Sequence, residues 1–354
     1  MRRADVLGLL LVGATLPCQV IVTDGQGPAA APTPARLTRD LELPERRRAA
    51  IDGLLRAGTA AVEPLLVQAR HPDLAVAHVA LQVLAALEHD ALPAVPKLQQ
   101  MAVGDTPHAR AAAWCLARLP VHGTFLVPSM EEGVVRELDA EGKEIWKMEK
   151  VGKVWSASRL ASGNLLVADL ENGACEYDKD GKQVWAWKGR VSYTAERLID
   201  GNTLCVEYSG SRVVEVDPAG KEVWVHEKVT PMSATRLPYG TTLIGDYGNT
   251  TVSEVDRAGA MLWSIAEQQG VYSVRWLRDG TVLCRTSHAA NARVLNQKGE
   301  TLREVKTLDA GSDVVLLPDG SIQSGQNYAR RCAADGSERW KVTFGGWGGR
   351  ITLR

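Results

Sequence analysis

The sequence has no surplus of charge of either sign. Its 354 residues contain 41 Lys and Arg and 42 Asp and Glu, which are mixed along the whole length. A nucleic-acid partner would call for a clustered basic face, so the charge pattern argues against one. Blocks of like charge are absent except Arg46-Arg47-Arg48, which is typical of the exposed side of a helix.

Paired cysteines are also missing. Without Cys18 the sequence has five cysteines, and no Cys-x-x-Cys motif occurs. An odd number of cysteines without paired spacing indicates neither a disulfide framework nor a thiolate zinc site. We therefore expect these five cysteines to be small buried residues, and we expect no bound metal.

The motifs of several enzyme classes are absent as well. The sequence contains no Gly-x-x-x-x-Gly-Lys-Ser/Thr, no His-Glu-x-x-His and no Gly-x-Ser-x-Gly. These patterns would position a phosphate, a zinc ion or a nucleophilic serine. Their absence favours a protein without catalytic residues.

A long hydrophobic run occurs near the N-terminus, where Arg2 and Arg3 precede the apolar stretch from Val6 to Leu16. This layout is that of a secretory signal, and the stretch is too short to span a bilayer by itself. We therefore predict a signal peptide over residues 1–22. The mature protein is then exported to the periplasm or cell envelope and has no transmembrane span.

A lipid anchor at Cys18 is the alternative to a cleaved signal. It is disfavoured because Pro17 stands where a lipoprotein signal has a small residue. Residues 23–37 follow, rich in Pro and Ala and without a periodic apolar face. This composition predicts a linker.

Residues 38–119 carry apolar residues at helical spacing and repeat themselves at an offset of 32 residues. Asp73 aligns with Asp105, and Leu84 aligns with Leu116. Helix pairs at such a period stack into a solenoid. The segment resembles the short bacterial HEAT-like repeats, and we predict an N-terminal α-solenoid here.

At Pro120 the apolar period changes from helical spacing to alternation, and a second repeat begins. Each unit has two glycine-centred turns and four short strands, which is typical of a β-propeller blade. A tryptophan closes the unit every 39 residues, with Arg303 at the fifth position; the column is Trp146, Trp185, Trp224 and Trp263, and Trp340 ends it. Residues 120–354 are therefore predicted to form an all-β propeller.

The number of blades follows from counting strands. The second, third and fourth strands occur six times, but the first strand occurs five times inside the repeats. The missing first strand must come from the C-terminal residues Arg350–Arg354, which removes both free edges of the ring. The sequence thus predicts six blades, closed by the C-terminal strand.

Two charged columns accompany the tryptophans. A glutamate precedes the last turn of four repeats (Glu137, Glu176, Glu215 and Glu254), and an arginine precedes the next glycine turn in three (Arg159, Arg197 and Arg236). The fourth arginine, Arg275, is displaced by one position, and in the fifth repeat both residues are replaced, by Val294 and Leu316. Because buried charges need partners, we interpret the columns as structural ion pairs.

The pattern Arg-Leu-x-x-Gly-Asn-Thr-Leu followed by Glu-Val-Asp-x-x-Gly-Lys-x-x-Trp resembles the quinoprotein-like (PQQ-like) and arylsulfotransferase-like propellers over residues 121–354. The resemblance implies the blade but not the chemistry. Arylsulfotransferases act through channel histidines, and here His226 lies on an outer strand while His288 alone could approach the mouth. A quinone would need a polar clamp and a metal that no cluster supplies, so we expect no cofactor.

One surface of the predicted propeller is not uniform. The loops that enter the innermost strands and the loops that join strands two and three ring the channel mouth. They supply an aromatic column and an acidic column, and we predict a ligand-binding mouth that comprises Trp155, Tyr193, Met232, Tyr272, Asp169, Glu207, Asp246 and His288. The alternative is a solvated rim whose aromatic side chains pack under the loops.

These observations predict a non-catalytic binding or scaffolding protein of the cell envelope. Its helical repeats and propeller mouth would be presented to a protein partner or, alternatively, to a carbohydrate. The competing hypothesis is an enzyme or quinone-binding protein of the sulfotransferase, lyase or PQQ-dependent type that uses the propeller mouth. His288 among acidic loops is the feature that favours this competitor.

Overall fold

Helices are followed by strands along the chain, as the change of period predicts. A computed structural model describes residues 32–354 except 191, 268, 290 and 308–310. The predicted signal peptide, Cys18 and the first part of the predicted linker lie outside the described residues. The five cysteines of the described part are all buried, as predicted.

The helices cover residues 34–116. They are α1 (Pro34–Asp40), α2 (Pro44–Ala57), α3 (Val62–Gln68), α4 (Leu74–Ala86), α5 (Val95–Met101) and α6 (Pro107–Leu116), with 3₁₀ turns at Gly58–Ala61 and Glu88–Ala94. Asp73 and Thr106 cap α4 and α6 through their side-chain oxygens. Within the described part of the chain, no single helix is long and apolar enough to cross a membrane.

The predicted linker extends too far toward the C-terminus. Helix α1 begins at Pro34, and the side chain of Thr33 accepts a hydrogen bond from the amide of Arg36 at 3.4 Å. Proline is well suited to the first position of a helix, because its fixed φ fits and its missing N–H has no partner there. Leu37 is then buried in the helical core.

The predicted α-solenoid is not supported by the structure. The 32-residue offset does relate α3 and α4 to α5 and α6, but the described helices are short and share one apolar core. That core continues onto three propeller side chains, Ile199, Tyr239 and Trp276. The helical segment thus packs against the propeller, and the HEAT-like interpretation stays a prediction.

The predicted six-bladed propeller is confirmed. In chain order the first three blades contribute β1 (Phe125–Ser129), β2 (Val134–Leu138), β3 (Glu144–Glu149), β4 (Val154–Arg159), β5 (Leu165–Asp169), β6 (Gly173–Tyr177), β7 (Gln183–Trp187), β8 (Ser192–Arg197), β9 (Thr203–Glu207), β10 (Arg212–Val216) and β11 (Glu222–Glu227). The next three contribute β12 (Pro231–Arg236), β13 (Thr242–Asp246), β14 (Thr251–Val255), β15 (Met261–Ala266), β16 (Val271–Trp276), β17 (Val282–Thr286), β18 (Asn291–Leu295), β19 (Thr301–Lys306), β20 (Gly311–Leu317), β21 (Gly320–Ala333), β22 (Glu338–Trp347) and β23 (Thr352–Leu353).

The second to sixth blades are antiparallel sheets of consecutive strands, and the turns explain why. At the turn after β10, the side chain of Asp217 accepts hydrogen bonds from the amides of Ala219 and Lys221, both at 2.9 Å. Gly220 has a φ of +84°, which glycine adopts without a steric penalty. This combination turns the chain back on itself, and it recurs at Asp139, Asp178 and Asn296.

The C-terminal strand closes the ring. Strand β23 pairs antiparallel with β1, with Phe125 opposite Leu353 and Leu126 opposite Thr352. The first blade therefore has the order β23-β1-β2-β3. Blade six is less regular, because the long strand β21 pairs with β20 along its first half and with β22 along its second.

Apolar residues fill the spaces between neighbouring blades. One cluster joins Leu126 and Val135 of the first blade to Val154 and Val167 of the second. A similar cluster joins the fourth and fifth blades. The core of the propeller thus lies between the sheets, and each blade depends on its neighbours for burial.

Deleting Thr352–Arg354 tests the closure. The truncated protein loses β23 and exposes the edge of β1, which is a template for pairing with another chain. We expect a lower Tm and aggregation, measured by thermal unfolding and by light scattering after size-exclusion chromatography. The control is Arg354→Ala, which keeps the strand and removes only an ion pair. A truncated protein that stays monomeric with an unchanged Tm would contradict the closure.

Candidate functional site

The innermost strands of the blades begin at one end of the propeller, here called the mouth face. A series of rings lines part of this end, here called the aromatic arc: Trp155, Tyr193, Tyr208, Tyr247 and Tyr272. Ring centroids of consecutive members lie 5.2, 5.4, 6.2 and 5.4 Å apart. These separations are typical of favourable aromatic pairs, so the arc is continuous over neighbouring blades.

The predicted aromatic column is not uniformly accessible. Trp155 and Met232 are only 7% and 4% exposed, whereas the tyrosines of the arc are partly exposed. Trp155 meets the ring of Tyr193 edge-on, at an interplanar angle of 84°. Burial raises the pKa of Tyr193 and of Tyr272, so both hydroxyls are protonated at neutral pH and can donate hydrogen bonds. A ligand would therefore meet tyrosines, with Trp155 and Met232 supporting them.

The acidic column is buried and engaged by its own loops. Asp169 accepts hydrogen bonds from the amide of Glu171 at 2.8 Å and from the side chain of Asn172 at 2.7 Å. Asp246 accepts from the amide of Thr230 at 3.0 Å and from the side chain of Asn249 at 2.7 Å.

Glu207 has the same role in the third blade. It accepts hydrogen bonds from the amide of Arg190 and from Nε of Arg212. The side chains of Asp169, Glu207 and Asp246 thus fasten the loops of the mouth face. His288 lies in the loop after β17, exposed and with a φ of +59°.

Sequence reasoning missed two members of the arc. Tyr208 and Tyr247 follow the acids Glu207 and Asp246, and they are 39 residues apart, which is the period of the repeat. That period is the signal by which they could have been found. The structure shows that their rings connect Tyr193 to Tyr272.

At the opposite end, here called the helix face, the charged columns meet. The glutamates Glu137, Glu176, Glu215 and Glu254, here called the inter-blade carboxylates, are largely buried. Three of them pair with the arginine of the next blade: Arg159 with Glu137 at 3.8 Å, Arg197 with Glu176 at 2.8 Å and Arg236 with Glu215 at 2.7 Å. Each pair joins one blade to its successor.

The tryptophan column completes these contacts. The guanidinium carbons of Arg159, Arg197 and Arg236 lie 3.7, 5.1 and 5.0 Å from the ring centroids of Trp146, Trp185 and Trp224. The indole N–H groups of Trp185, Trp224 and Trp340 donate to main-chain carbonyls of the following blade at 2.8 to 3.0 Å. Trp263 donates instead to Glu254, at 2.6 Å. The glutamate, the arginine and the tryptophan therefore form one connected set of contacts between neighbouring blades.

Where the arginine is displaced, the helical segment supplies a cation. Arg48 of α2 donates to both oxygens of Glu254, at 2.9 and 3.0 Å. Arg275, whose column would have served Glu254, pairs with Asp313 of the sixth blade. At the fifth position, Val294 and Leu316 belong to one apolar cluster, so the charged pair is replaced by a hydrophobic contact.

Further contacts hold the helices on the helix face. Trp114 of α6 donates its indole N–H to the carbonyl of Arg197 at 2.8 Å, and Arg118 donates to Glu196 at 3.1 Å. The hydroxyl of Tyr239 donates to Asp52 at 2.5 Å. A cavity of about 990 Å³ lies between α4, α6 and the ends of the innermost strands.

Two of the inter-blade carboxylates, Glu254 and Glu215, have a pKa below the usual value because their hydrogen-bond donors outweigh burial. Burial alone raises the pKa of Glu254, but hydrogen bonds from Arg48 and Thr241 outweigh it and bring that pKa below its usual value. Glu215 behaves alike, with Arg257 and Asn202 as donors. Among the described residues, no group of His, Cys, Asp or Glu side chains is arranged to hold a metal ion.

Comparison with known proteins supports the repeat type. A family model described as outer membrane protein assembly factor BamB matches residues 106–247, which is less than half of the chain. The match begins in the last helix and ends in the fourth blade, and it agrees with the PQQ-like repeat predicted from the sequence. No curated protein sequence matches the chain.

Solved structures share the fold at low identity. A protein of unknown function from Bacteroides caccae gives a TM-score of 0.55 at 18% identity over 64% of this chain and 97% of that one. A chain of a nidogen/laminin complex gives 0.52 at 10% identity over 65% and 98%. A virginiamycin B lyase from Staphylococcus aureus gives 0.47 at 13% identity over 66% and 92%. The first two likenesses show the propeller fold alone.

Replacing Arg48 tests how the helices are held. Arg48→Met leaves Glu254 without its cation, and a hydrogen bond to a charged group contributes roughly 1.5–3 kcal/mol. We expect the free energy of unfolding at pH 7 to fall by about that amount. Arg46→Met is the control, because Arg46 lies on the same helix and pairs with Asp40, at 3.4 Å, instead of with the propeller.

The loss should depend on pH. Since the pKa of Glu254 is depressed in the folded protein, its contribution is present above the ordinary carboxyl pKa and is lost as the pH falls through the folded value. The free energy of unfolding would be measured with denaturant at pH 7 and at successively lower pH. The difference between the wild type and Arg48→Met should become smaller as the pH falls. If Arg48→Met lowered the free energy of unfolding by no more than Arg46→Met at every pH, the contact between Arg48 and Glu254 would not stabilise the protein.

Proposed function

We propose that the protein is a non-catalytic binding protein of the cell envelope, which holds an extended segment of a partner protein in the mouth of its propeller. The observation that carries this proposal is the aromatic arc, whose rings follow one another at 5.2 to 6.2 Å across neighbouring blades. Tyrosines suit such a role, because they offer large apolar surface with a hydroxyl and few rotatable bonds.

The position of the helices also favours the mouth face as the end that binds a partner. Helices α2, α4 and α6 contact or face the helix face, so an incoming partner finds that end occupied. The mouth face carries loops whose acids are already engaged within the protein. The side chains that this face offers to a ligand are therefore aromatic rather than acidic. They favour contact with apolar and aromatic side chains of a peptide.

The helical segment is proposed as a second surface for a protein partner, in the sense that HEAT-like repeats present surfaces. Val67 and Val103 of this segment are 70% and 78% exposed. Placement in the envelope is supported by the family model, whose description names an outer membrane assembly factor. Export through a signal over residues 1–22 remains part of the proposal.

The competing hypothesis of an enzyme or quinone-binding protein has less support. It would require His288 to work with the acidic loops, whereas Asp169, Glu207 and Asp246 are engaged by hydrogen bonds of those loops. A carbohydrate is the remaining alternative for the mouth, because stacked aromatic rings also suit sugar faces. The pair Tyr247 and Tyr272, at an interplanar angle of 27°, is the feature that favours it.

A double variant, Tyr208→Ala with Tyr247→Ala, tests the mouth. Peptides would be selected on the wild-type protein from a displayed random library, and a panel of neutral oligosaccharides would be measured beside them. We expect aromatic-rich peptides to bind wild type and to lose roughly 1–3 kcal/mol of binding free energy in the double variant. Leu262→Ala is the control, because Leu262 is an exposed apolar residue on the outer strand β15.

Two results would overturn the proposal. One is that selected peptides bind the double variant as tightly as the wild type, which would place them elsewhere. The other is that oligosaccharides bind and depend on Tyr208 and Tyr247 while no peptide does, which would make the mouth a carbohydrate site. The circular dichroism spectrum and Tm must be close to those of the wild type for either comparison to count.

A further inference from the structure

The cavity at the helix face has no member of the aromatic arc among its lining residues and is not used by the proposed function. Its volume of about 990 Å³ lies at the upper end of the range of small-molecule sites. One wall is helical and includes Leu74 and Trp114, and the other is formed by propeller residues such as Ile199 and Trp276. These residues give each wall an apolar surface, and charged side chains of both signs, such as Glu196 and Arg236, line the cavity beside them.

Six arginines of the propeller line the cavity, and two of them, Arg275 and Arg350, lie beside the carboxylate of Asp313. Arg275 donates to both oxygens of Asp313. Asp313 is buried and also accepts hydrogen bonds from the side chain of Ser273 and from the amide of Ile351. Its hydrogen-bonding capacity is thus taken up without any contribution from Arg350.

Arg350 is left as the second cation of this group. Its Nη2 has one long hydrogen bond, at 3.5 Å, to the carbonyl of Val274. Its Nη1 is buried and has no hydrogen-bond partner among the described residues. A buried charged donor without an acceptor is costly, and such a group in a cavity wall calls for a ligand or for water.

The charge of Arg350 is retained under ordinary conditions. Burial, and then the positive charge of Arg275, lower the pKa of Arg350 to about 10. At neutral pH the guanidinium is therefore still protonated. The cavity thus combines apolar wall residues with a protonated Arg350 whose Nη1 has no acceptor among the described residues; Nε of Arg197 and Nε of Arg236, which also line the cavity, lack one as well.

We propose that this cavity binds a small organic anion, whose carboxylate or other acidic group is held by Arg350 and whose apolar part lies between the helical and propeller walls. An acidic group supplies the acceptor that Nη1 lacks and compensates the second guanidinium. The apolar part takes up the space that a bare ion would leave. The site is independent of the mouth, so it can fail while the proposed peptide site stands.

Octanoate, 1-octanol and inorganic phosphate are suitable probes, because they separate the acidic group from the apolar part. Isothermal titration calorimetry on the wild-type protein should show binding of octanoate and at least tenfold weaker binding of both octanol and phosphate. Bound octanoate should also raise the Tm, since it stabilises the folded state.

Three variants locate the site. Arg350→Met removes the charge with little change of volume, and we expect the Kd for octanoate to rise at least tenfold. Gln82→Trp places a large side chain in the cavity from α4 and keeps Arg275 and Arg350, and it should weaken the binding of octanoate as well. Arg303→Met replaces an exposed arginine of β19 outside the cavity and should leave the Kd unchanged. If Arg350→Met does not fold, Gln82→Trp still decides the location.

The proposal is overturned by any of three results. Octanoate could fail to bind the wild-type protein at millimolar concentration, which would indicate a cavity filled by water. Octanol could bind as tightly as octanoate, which would show that the charge is not recognised. Phosphate alone could bind, which would show that the apolar part is not recognised. An unchanged Kd in Gln82→Trp would place the bound anion outside this cavity.

Discussion

Buried carboxylates at the helix face need cations, and the way each one obtains its cation determines how the molecule is assembled. A glutamate shielded from water is strongly destabilising unless a positive partner and hydrogen bonds accompany it. Glu176 and Glu215 receive an arginine from the following blade. Glu137 additionally receives Arg354 from the C-terminal segment that closes the ring, at 2.6 Å. Glu254 receives Arg48 from helix α2. Blade stacking, ring closure and helix attachment thus use one kind of contact.

This arrangement divides the propeller into two ends with different tasks. At the helix face most of the charged groups pair with one another to hold the blades and helices together, and the helices enclose a cavity in which Nη1 of Arg350 has no hydrogen-bond partner among the described residues. At the mouth face the acids fasten loops and the tyrosines remain partly exposed. Binding of a partner at the mouth would leave the contacts of the helix face undisturbed, so a rigid ring can present the aromatic arc unchanged.

Much of the fold could be predicted from the sequence because it depends on repeated local signals. Turns such as Asp217 to Gly220, the 39-residue tryptophan column and the missing first strand led to six blades and to the closing role of the C-terminus. The joint loss of Glu and Arg at Val294 and Leu316 likewise reflects a contact across blades. The packing of the helical segment was harder to predict, since its periodicity indicates helices but not the surface against which they pack. The pairing of Arg48 with Glu254 joins residues that are far apart in the sequence, and no repeat in the sequence indicates it.

The candidate site was predictable only as a set of positions. Repeat spacing identified which loops ring the mouth, but not which side chains remain accessible. Trp155 and Met232 are buried there, and the acids are used by neighbouring amides. Those outcomes depend on loop conformation, which the repeat pattern does not specify. Tyr208 and Tyr247 share the repeat period yet become notable only once their rings are seen in contact with Tyr193 and Tyr272.

The most direct measurement is a double-mutant cycle on one inter-blade pair. Glu176 and Arg197 are suitable, because their contact at 2.8 Å joins the second and third blades. Free energies of unfolding would be measured for wild type, Glu176→Gln, Arg197→Met and the double variant. The account predicts that each single variant is destabilised and that the coupling energy is roughly 1–3 kcal/mol. Additive effects, with a coupling energy indistinguishable from zero, would contradict the claim that buried carboxylates hold the blades together.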